Sequence, residues 1–293
     1  MTAQTLDGEL VAAVVKAELA ERVAVLAGHG VTPGLGTLLV GDDAPSAKYV
    51  AMKHREIADA GWVSRDVRLP HGATSADVSG AIASLNADPS IHAYIVQYPF
   101  PPGLDYESSL VEVDPAKDAD GLHPFNLGRL VMGAPAPVAC TPAGIMRLLR
   151  HYEIPIAGSH VVIVGRGLTI GRPLANLMTL KHGGNAAVTV LHTGVADLGP
   201  LCRQADILVA AAGAPGLITA DMVRPGAAVV AAGVKFVDGK LRSDVAAGVE
   251  EVAGWLSPKV GGVGPMTRAM LLSNTVDAAE RRLCDGRVGG TSA

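Results

Sequence analysis

The segment "HVVIVGRGLTIGRPLANLMTLKHG" (160–183) decides the fold of the second half of the chain. Its apolar start predicts a short buried strand, and the spacing from Arg172 onward predicts a helix. Gly165, Gly167 and Gly171 lie between the two, where glycine allows a tight turn and where free helix N–H groups can bind a phosphate. The spacing is one residue longer than the usual dinucleotide fingerprint, so by itself it also fits an ordinary strand–helix turn.

The alternation of strand and helix continues beyond this segment. Further strands are predicted at "AAVTVLH" (186–192), "DILVAAAG" (206–213) and "GAAVVAAGV" (226–234), with a helix at "VADLGPLCRQA" (195–205). A closing helix is predicted at 265–283. This order indicates a parallel sheet with helices on its faces, in which ligands bind at the carboxyl ends of the strands.

The first half of the chain shows the same order. The predicted elements are a helix at 7–28, a strand at 34–42, a helix at 46–60, a strand at 62–70, a helix at 74–88 and a strand at 91–101. We therefore expect an α/β protein with two α/β domains, each built on a parallel sheet, around a cleft.

A stretch rich in Pro, Asp and Gly (102–140) connects the two halves, and a connection of this length is usually functional or a linker. The helix "TPAGIMRLLRHYE" follows, with Thr141 as its predicted cap and Pro142 in its first turn. We expect a first domain over 1–138 and a second over 139–265, with the closing helix (266–284) packing back on the first.

Composition excludes several classes of protein. Of 293 residues, 49 % are apolar and 18 % are charged, which argues against disorder. The net charge of −4 gives no reason to expect nucleic acid or an anionic membrane as a partner, and no apolar run approaches the ~18 residues of a membrane span. Cys140, Cys202 and Cys284 are widely spaced, as in a reduced cytoplasmic protein without disulfides or a zinc site.

The strand at 186–192 bears on which nucleotide binds. Sites for NAD usually have an Asp or Glu at this strand end to bind the ribose hydroxyls, and such a carboxylate would repel a 2′-phosphate. Here the strand ends at His192 and Thr193 without an acid, and Arg166 stands in the glycine loop. These residues favour NADP, although His192 alone also fits an ordinary solvated strand end.

In the first half, "SAKYVAMKHREIADAG" (46–61) places Tyr49 and Lys53 on one face of a helix. Short-chain dehydrogenases carry a similar pair, but in that family the glycine loop precedes it. Here the pair precedes the loop by more than 110 residues. That order argues against the short-chain family, and an isolated pair of this kind is also common on ordinary helix surfaces.

An ordered set of motifs points to another family. The set comprises "KYVAMK", "YIVQYPFP", "DPAKDADGLHPFNLGRL", "CTPAG", "IVGRGLTIGRP" and "GGVGPMT", from about Gly41 to Thr267. Together they resemble the bifunctional methylenetetrahydrofolate dehydrogenase/cyclohydrolase family. The resemblance implies a Rossmann-like NADP-binding second domain. It also implies NADP-dependent oxidation of 5,10-methylenetetrahydrofolate to the methenyl form and hydrolysis of that product to 10-formyltetrahydrofolate.

The resemblance also implies roles for residues of the first domain. Lys53 is similar to the family's catalytic lysine, and Tyr49 to the residue that stacks on the folate. Gln97, with Val96 beside it, resembles the glutamine that holds this lysine. Asp120 resembles the carboxylate that binds the pterin. A lysine can act as a base only if burial or a nearby cation lowers its pKa.

Further residues are carried over by the same resemblance. The loop closing over the folate is expected to comprise Gly262, Val263, Gly264 and Pro265. The NADP contacts are expected to comprise Gly165, Arg166 at the 2′-phosphate, Gly167, Gly171, Arg172 and Thr193, with Thr141 and Val234 nearer the nicotinamide. No metal is required. A homodimer through the second domains is expected, with the strand at 186–192 as a candidate edge.

The chain departs from the family pattern at several positions, mostly in the second domain. Gly167 and Thr193 stand where the family usually has Ser, Ala231 stands for an acidic residue, and Val260 stands for a proline. Two alternatives therefore stay open: a monofunctional methylenetetrahydrofolate dehydrogenase, and a non-catalytic relative that binds folate or a nucleotide.

Overall fold

The computed structural model describes residues 2–289, and their contacts divide the chain into two compact units. One, here called the lysine unit, consists of Val15–Gly128 and the residues from Leu271 onward. The other, the glycine-loop unit, consists of the residues up to Val14 and Arg129–Met270. The domain boundary expected between residues 138 and 139 remains a prediction.

The elements of the first half of the chain are, in order, β1 (Gln4–Thr5), α1 (Gly8–Gly28), β2 (Gly34–Val40), α2 (Ala44–Asp59), β3 (Val63–Leu69), α3 (Ser75–Ala87), β4 (Ala93–Gln97), α4 (Tyr106–Glu112) and α5 (Pro124–Val131). Those of the second half are α6 (Cys140–His151), β5 (His160–Val164), α7 (Gly171–Thr179), β6 (Ala187–Leu191), α8 (Gly199–Cys202), β7 (Ile207–Ala210), β8 (Ala228–Ala231), β9 (Val234–Val237), β10 (Lys240–Ser243), β11 (Trp255–Leu256) and α9 (Val263–Gly289).

The lysine unit contains a parallel sheet of three strands in the order β3-β2-β4 among the described residues. The central strand β2 is buried along its whole length, whereas side chains of the edge strand β3 alternate between partly buried and exposed. The predicted order of strand, helix, strand, helix, strand is confirmed, and the N-cap of α3 is Thr74.

The glycine-loop unit contains a parallel sheet in the order β6-β5-β7-β8-β11-β1 over the described part of the chain. From β5 the chain moves outward to β6 and then crosses back to form β7 on the other side of β5. This reversal creates a switch point at the carboxyl ends of β5 and β7, where doubly wound sheets bind their ligands. The predicted parallel α/β fold is thereby confirmed.

Several element predictions were wrong in detail. The connection at 102–140 contains α4, capped by Asp105, and α5. The helix expected at 195–205 is only α8, because Asp197 accepts a hydrogen bond from Gly199 N and turns the chain there. The strand expected at 226–234 ends at Ala231, since the next two backbone N–H groups bend away to Ala210 O, and a β9–β10 hairpin follows.

Thr141 is not the cap of α6, contrary to the sequence prediction. The helix begins one residue earlier, and its N-cap, Ala139, offers no side-chain hydrogen bond. The Thr141 hydroxyl instead lies 2.9 Å from the Thr267 hydroxyl. Pro142 is in the first turn as predicted, where its missing N–H costs nothing.

No helix within residues 2–289 combines the length and the apolar character needed to cross a bilayer. The three cysteines are free thiols; Cys140 and Cys202 are buried and Cys284 is exposed.

The capping box of α3 yields a stability prediction. Thr74 Oγ1 accepts a hydrogen bond from Asp77 N at 3.2 Å, and the Asp77 carboxylate accepts one from Thr74 N at 2.8 Å. We expect Thr74→Ala to lower the free energy of unfolding by about 1 kcal/mol. Thr74→Ser, which keeps the hydroxyl, should change it by less than half as much. Urea denaturation measures both, and equal losses in the two variants would contradict the capping role.

Candidate active site

Helix α2 carries Lys53 on its buried face. The helix starts at a strong cap, since the Asp43 carboxylate accepts a hydrogen bond from Ser46 N at 2.9 Å. Its buried positions follow helical spacing: Ser46, Val50, Lys53 and Ile57. Lys53 therefore occupies a position that an apolar residue would normally fill, and only 6 % of its surface is exposed.

The Lys53 amine lies between two predicted neighbours. Lys53 Nζ donates a hydrogen bond to Gln97 Oε1 at 3.3 Å, and it lies 4.6 Å from the centre of the Tyr49 ring. The Gln97 amide is fixed in turn, because its Nε2 donates to Tyr98 O at 2.7 Å. The structure thus brings the three predicted residues together, with the amine held by an amide oxygen and a ring face.

Aromatic side chains follow Gln97 at the end of β4. The Tyr106 ring packs edge-to-face against Tyr98 at 5.2 Å and Phe100 at 5.4 Å, and its hydroxyl donates to the carbonyl of the buried Val96 at 3.3 Å. Burial raises the pKa of Tyr106 far above its ordinary value, and the negative charge of Asp120 adds to the shift. Tyr106 therefore stays protonated at neutral pH and acts as a hydrogen-bond donor.

Asp120, the predicted pterin-binding carboxylate, lies in the turn that precedes α5. The residue keeps partial exposure, but its carboxyl is enclosed by protein atoms, and this desolvation raises its pKa. The positive charge of Lys53 opposes the rise, and the neighbouring Asp118 adds to it. The role of Asp120 in binding the pterin remains a prediction.

Asp118, which the sequence analysis did not single out, holds the turn that presents Asp120. Its buried carboxylate accepts hydrogen bonds from Gly121 N at 3.0 Å, His123 N at 2.8 Å and Asn126 Nδ2 at 2.9 Å. Gly121 has a φ of 68°, a conformation that glycine adopts readily. The "DADG" motif indicated a turn, but it did not show that Asp118, three residues before Gly121, and not the adjacent Asp120 accepts the hydrogen bond from Gly121 N.

His54, also missed, ties α2 to the sheet beneath it. Its Nε2 lies 2.7 Å from the hydroxyl of the fully buried Thr37, and its Nδ1 hydrogen-bonds with the Ser64 hydroxyl. Burial lowers the pKa of His54, although Asp66 opposes the shift. His54 is therefore neutral at pH 7 and fixes the helix turn that contains Lys53.

The glycine loop of the other unit is closely packed around its first and last glycines. Gly165 has a φ of 133°, and a Cβ there would lie 2.1 Å from Ala211 O. A Cβ on Gly171 would lie 2.0 Å from Gly165 O. Both positions require glycine because a side chain would collide with backbone atoms.

The start of α7 fits a nucleotide phosphate. Its N-cap is Ile170, which has no capping side chain, so the first N–H groups of the helix receive no side-chain acceptor. Arg166, Gly167 and Arg172 are exposed around it. An uncapped helix start with nearby guanidinium groups at a switch point suits an anionic ligand.

The remaining cofactor predictions fall within the same unit. Thr193 is exposed just after β6, and the preceding His192 accepts a hydrogen bond from Gly194 N at 3.0 Å. Val234 begins β9 and is 43 % exposed. Thr141 pairs with Thr267, as described above.

The predicted folate-closing segment is mostly helical. Val263, Gly264 and Pro265 form the first turn of α9, and only Gly262 lies in the loop before it. A Cβ on Gly262 would lie 2.2 Å from Pro258 O. These residues belong to the glycine-loop unit, whereas Tyr49, Lys53, Gln97 and Asp120 belong to the lysine unit.

Within residues 2–289, no three His, Cys, Asp or Glu side chains cluster closely enough to hold a metal ion.

Comparison with known proteins identifies both halves of the chain. Residues 6–120 match the catalytic domain of tetrahydrofolate dehydrogenase/cyclohydrolase, and residues 139–283 match its NAD(P)-binding domain. A protein of Syntrophotalea carbinolica, Bifunctional protein FolD, is 53 % identical over 96 % of this chain and 98 % of its own length. The resemblance inferred from the motifs is thereby confirmed.

Solved structures agree with the sequence matches. The bifunctional FolD dehydrogenase/cyclohydrolase of Campylobacter jejuni is 38 % identical, with a TM-score of 0.91 over 96 % of this chain and 99 % of its own. The Trypanosoma brucei enzyme, solved with NADP and an inhibitor, is 36 % identical, with a TM-score of 0.90 over 97 % of this chain and 99 % of its own.

The electrostatics of Asp120 predict an unusual effect on stability. Because the pKa of Asp120 is higher in the folded than in the unfolded state, its stabilising contribution is present at low pH and is lost as pH rises through the folded pKa. Asp120→Asn removes this ionisation and should therefore raise the midpoint of thermal unfolding at pH 8. The gain should shrink at pH 4. Thermal unfolding across this range checks the prediction, and a lower midpoint at pH 8 would contradict it.

Proposed function

Because the chain belongs to the tetrahydrofolate dehydrogenase/cyclohydrolase family, we propose that Lys53, held by Gln97 and Tyr49, is the group that transfers protons in its reactions. The protein oxidises 5,10-methylenetetrahydrofolate to 5,10-methenyltetrahydrofolate with NADP, and hydrolyses that product to 10-formyltetrahydrofolate. The observation that carries the assignment to Lys53 is a buried amine fixed by an amide oxygen at 3.3 Å and a ring face at 4.6 Å.

Oxidation requires the chain to hold the nucleotide and the folate. Bound NADP would supply the acceptor for the hydride that leaves the one-carbon bridge of the folate. The uncapped start of α7 and the close-packed Gly165 and Gly171 form the seat for the phosphates, with Arg166 at the 2′-phosphate. Gly167, Arg172, Thr193, Thr141 and Val234 complete this proposed seat.

Hydrolysis uses the lysine unit. Water adds to the electrophilic methenyl carbon, and a proton must leave its oxygen as the new C–O bond forms. The amine of Lys53 is placed to take up this proton, since Gln97 fixes its position and the surrounding protein limits exchange with bulk water. The bond between this carbon and N5 then breaks, and N5 takes the remaining hydroxyl proton, which leaves the formyl group on N10.

The folate itself is bound by the side chains around the amine. The Tyr49 face and the aromatic group that follows β4 offer flat apolar surfaces, and Asp120 offers hydrogen-bonding oxygens to the polar edge of the pterin. Val96 supports this site from β4. We assign the segment from Gly262 to Pro265 to closure over the folate.

The wider organisation follows the same proposal. Residues 1–138 form the folate-binding domain and 139–265 the NADP-binding domain, with α9 packing back on the former, in a cytoplasmic protein. The chain forms a homodimer through β6. Within the described residues, β6 is the last strand of its sheet and pairs with β5 alone, and dimerisation would cover this open edge.

The role of Lys53 is tested by truncating it. We expect Lys53→Ala to lower the cyclohydrolase rate by about 10²–10⁴-fold, the usual contribution of a general base, without changing the affinity for NADP. Lys48→Ala, an exposed lysine on the same helix, is the matched control and should leave both unchanged. Loss of methenyltetrahydrofolate absorbance measures the rate. A Lys53→Ala enzyme with at least a tenth of the normal rate would refute the assignment.

The role of Arg166 is tested by cofactor choice. We expect Arg166→Ala to raise KM for NADP roughly tenfold and KM for NAD less than about twofold, because only NADP carries the 2′-phosphate. Lys181→Ala, an exposed cation beyond α7, serves as the control. NADPH and NADH formation measure both constants. Equal changes in KM for the two nucleotides would show that Arg166 does not bind the 2′-phosphate.

A further inference from the structure

Asp244 is a fully buried carboxylate that none of the roles above uses. It follows β10, and none of its surface is exposed. Asp244 Oδ2 accepts two backbone hydrogen bonds, from Ala212 N at 2.7 Å and from Gly213 N at 2.9 Å. A buried acid that accepts two N–H groups from one short segment fixes the path of that segment.

The segment that Asp244 holds lies at the switch point of the sheet. Residues 211–213 come directly after β7, beside the glycine loop that follows β5. A Cβ on Gly165 would lie 2.1 Å from Ala211 O, so the loop after β5 and the loop after β7 are in backbone contact. Any movement of the loop after β7 would therefore change the shape of the proposed phosphate-binding site around Gly165.

The same carboxylate also packs against the loop after β8. A Cβ on Gly233 would lie 1.8 Å from Asp244 Oδ2, so the position requires glycine. Asp244 N donates to Gly233 O at 3.0 Å, and Gly233 N donates to Ala210 O at 2.6 Å. Asp244 thus connects the ends of β7 and β8, next to Val234.

One oxygen of this carboxylate has an unusual environment. Asp244 Oδ1 is buried and receives no hydrogen bond from any residue in the described part of the chain. An unsatisfied buried carboxylate oxygen is costly for folding, and such groups call for a functional explanation. A binding site whose two loops must be held in one arrangement before the ligand binds would explain why this cost is retained.

We propose that Asp244 is a positioning residue for the nucleotide, fixing the loops after β7 and β8 in the arrangement that binds NADP. This inference rests on the proposed function of the glycine-loop unit. It assigns Asp244 no contact with the nucleotide. It predicts that the loss of this carboxylate damages the reaction that uses NADP and spares the reaction that does not.

The two activities of one enzyme allow a test that separates positioning from general stability. Asp244→Asn keeps the shape of the side chain. In one orientation of its amide, the NH2 group replaces Oδ2 and the acceptor for Ala212 N and Gly213 N is lost. In the other, the NH2 group replaces Oδ1 and is a donor without a partner. We expect it to raise KM and Kd for NADP roughly tenfold, as for a lost hydrogen bond to a charged group. Hydrolysis of added methenyltetrahydrofolate, which uses no nucleotide, should stay within about twofold of wild type.

Asp221→Asn makes the same chemical change at an exposed position of the same unit and should alter neither activity. If Asp244→Asn leaves KM for NADP unchanged, or lowers both activities in parallel, the inference is overturned. If little Asp244→Asn enzyme folds, two measurements on the folded fraction decide. A lower ratio of dehydrogenase to cyclohydrolase activity and a smaller NADP-induced rise in Tm than in wild type support the inference, and wild-type values of both overturn it. Wild-type enzyme lacking both activities would instead refute the proposed function.

Discussion

The hydrogen bond between Lys53 and Gln97 is the interaction on which the proposed chemistry depends. It joins helix α2 to the end of strand β4 across 44 residues of sequence. A lysine amine in a buried position is costly unless its polar groups are satisfied, so the Gln97 oxygen and the Tyr49 ring explain how the fold retains it. The cap at Asp43 and the anchor at His54 hold the helix that delivers the amine to this point.

The glycine-loop unit depends on a different constraint, which is the close approach of backbone to backbone. Gly165 and Gly171 leave no room for a side chain, and Ala211 is in contact with the first of them. Rigid packing of this kind forms a binding seat before the nucleotide arrives, which reduces the entropy lost on binding. Asp244 extends the same arrangement to the loops after β7 and β8.

Local patterns predicted the elements with strong periodicity, including α2, β2, α3 and the strand, loop and helix around Gly165. They missed β1 and β11, whose two-residue strands pair only because distant segments meet. They also placed a cap at Thr141, although its hydroxyl pairs with Thr267, 126 residues away. Asp244 was missed for the same reason, since its carboxylate accepts hydrogen bonds from backbone N–H groups 31 and 32 residues away. The roles of Lys53 and Gln97 were assigned through family motifs, not through periodicity.

Lys53 and Gln97 act as one unit in the proposed mechanism, which a double-mutant cycle on the cyclohydrolase rate can test. The rates of Lys53→Met, Gln97→Leu and the double variant are compared with wild type. We predict that Gln97→Leu alone lowers the rate roughly tenfold, but changes it by less than about twofold when Lys53 is already replaced. If Gln97→Leu lowers the rate by the same factor in both backgrounds, the two residues act independently and the account is wrong.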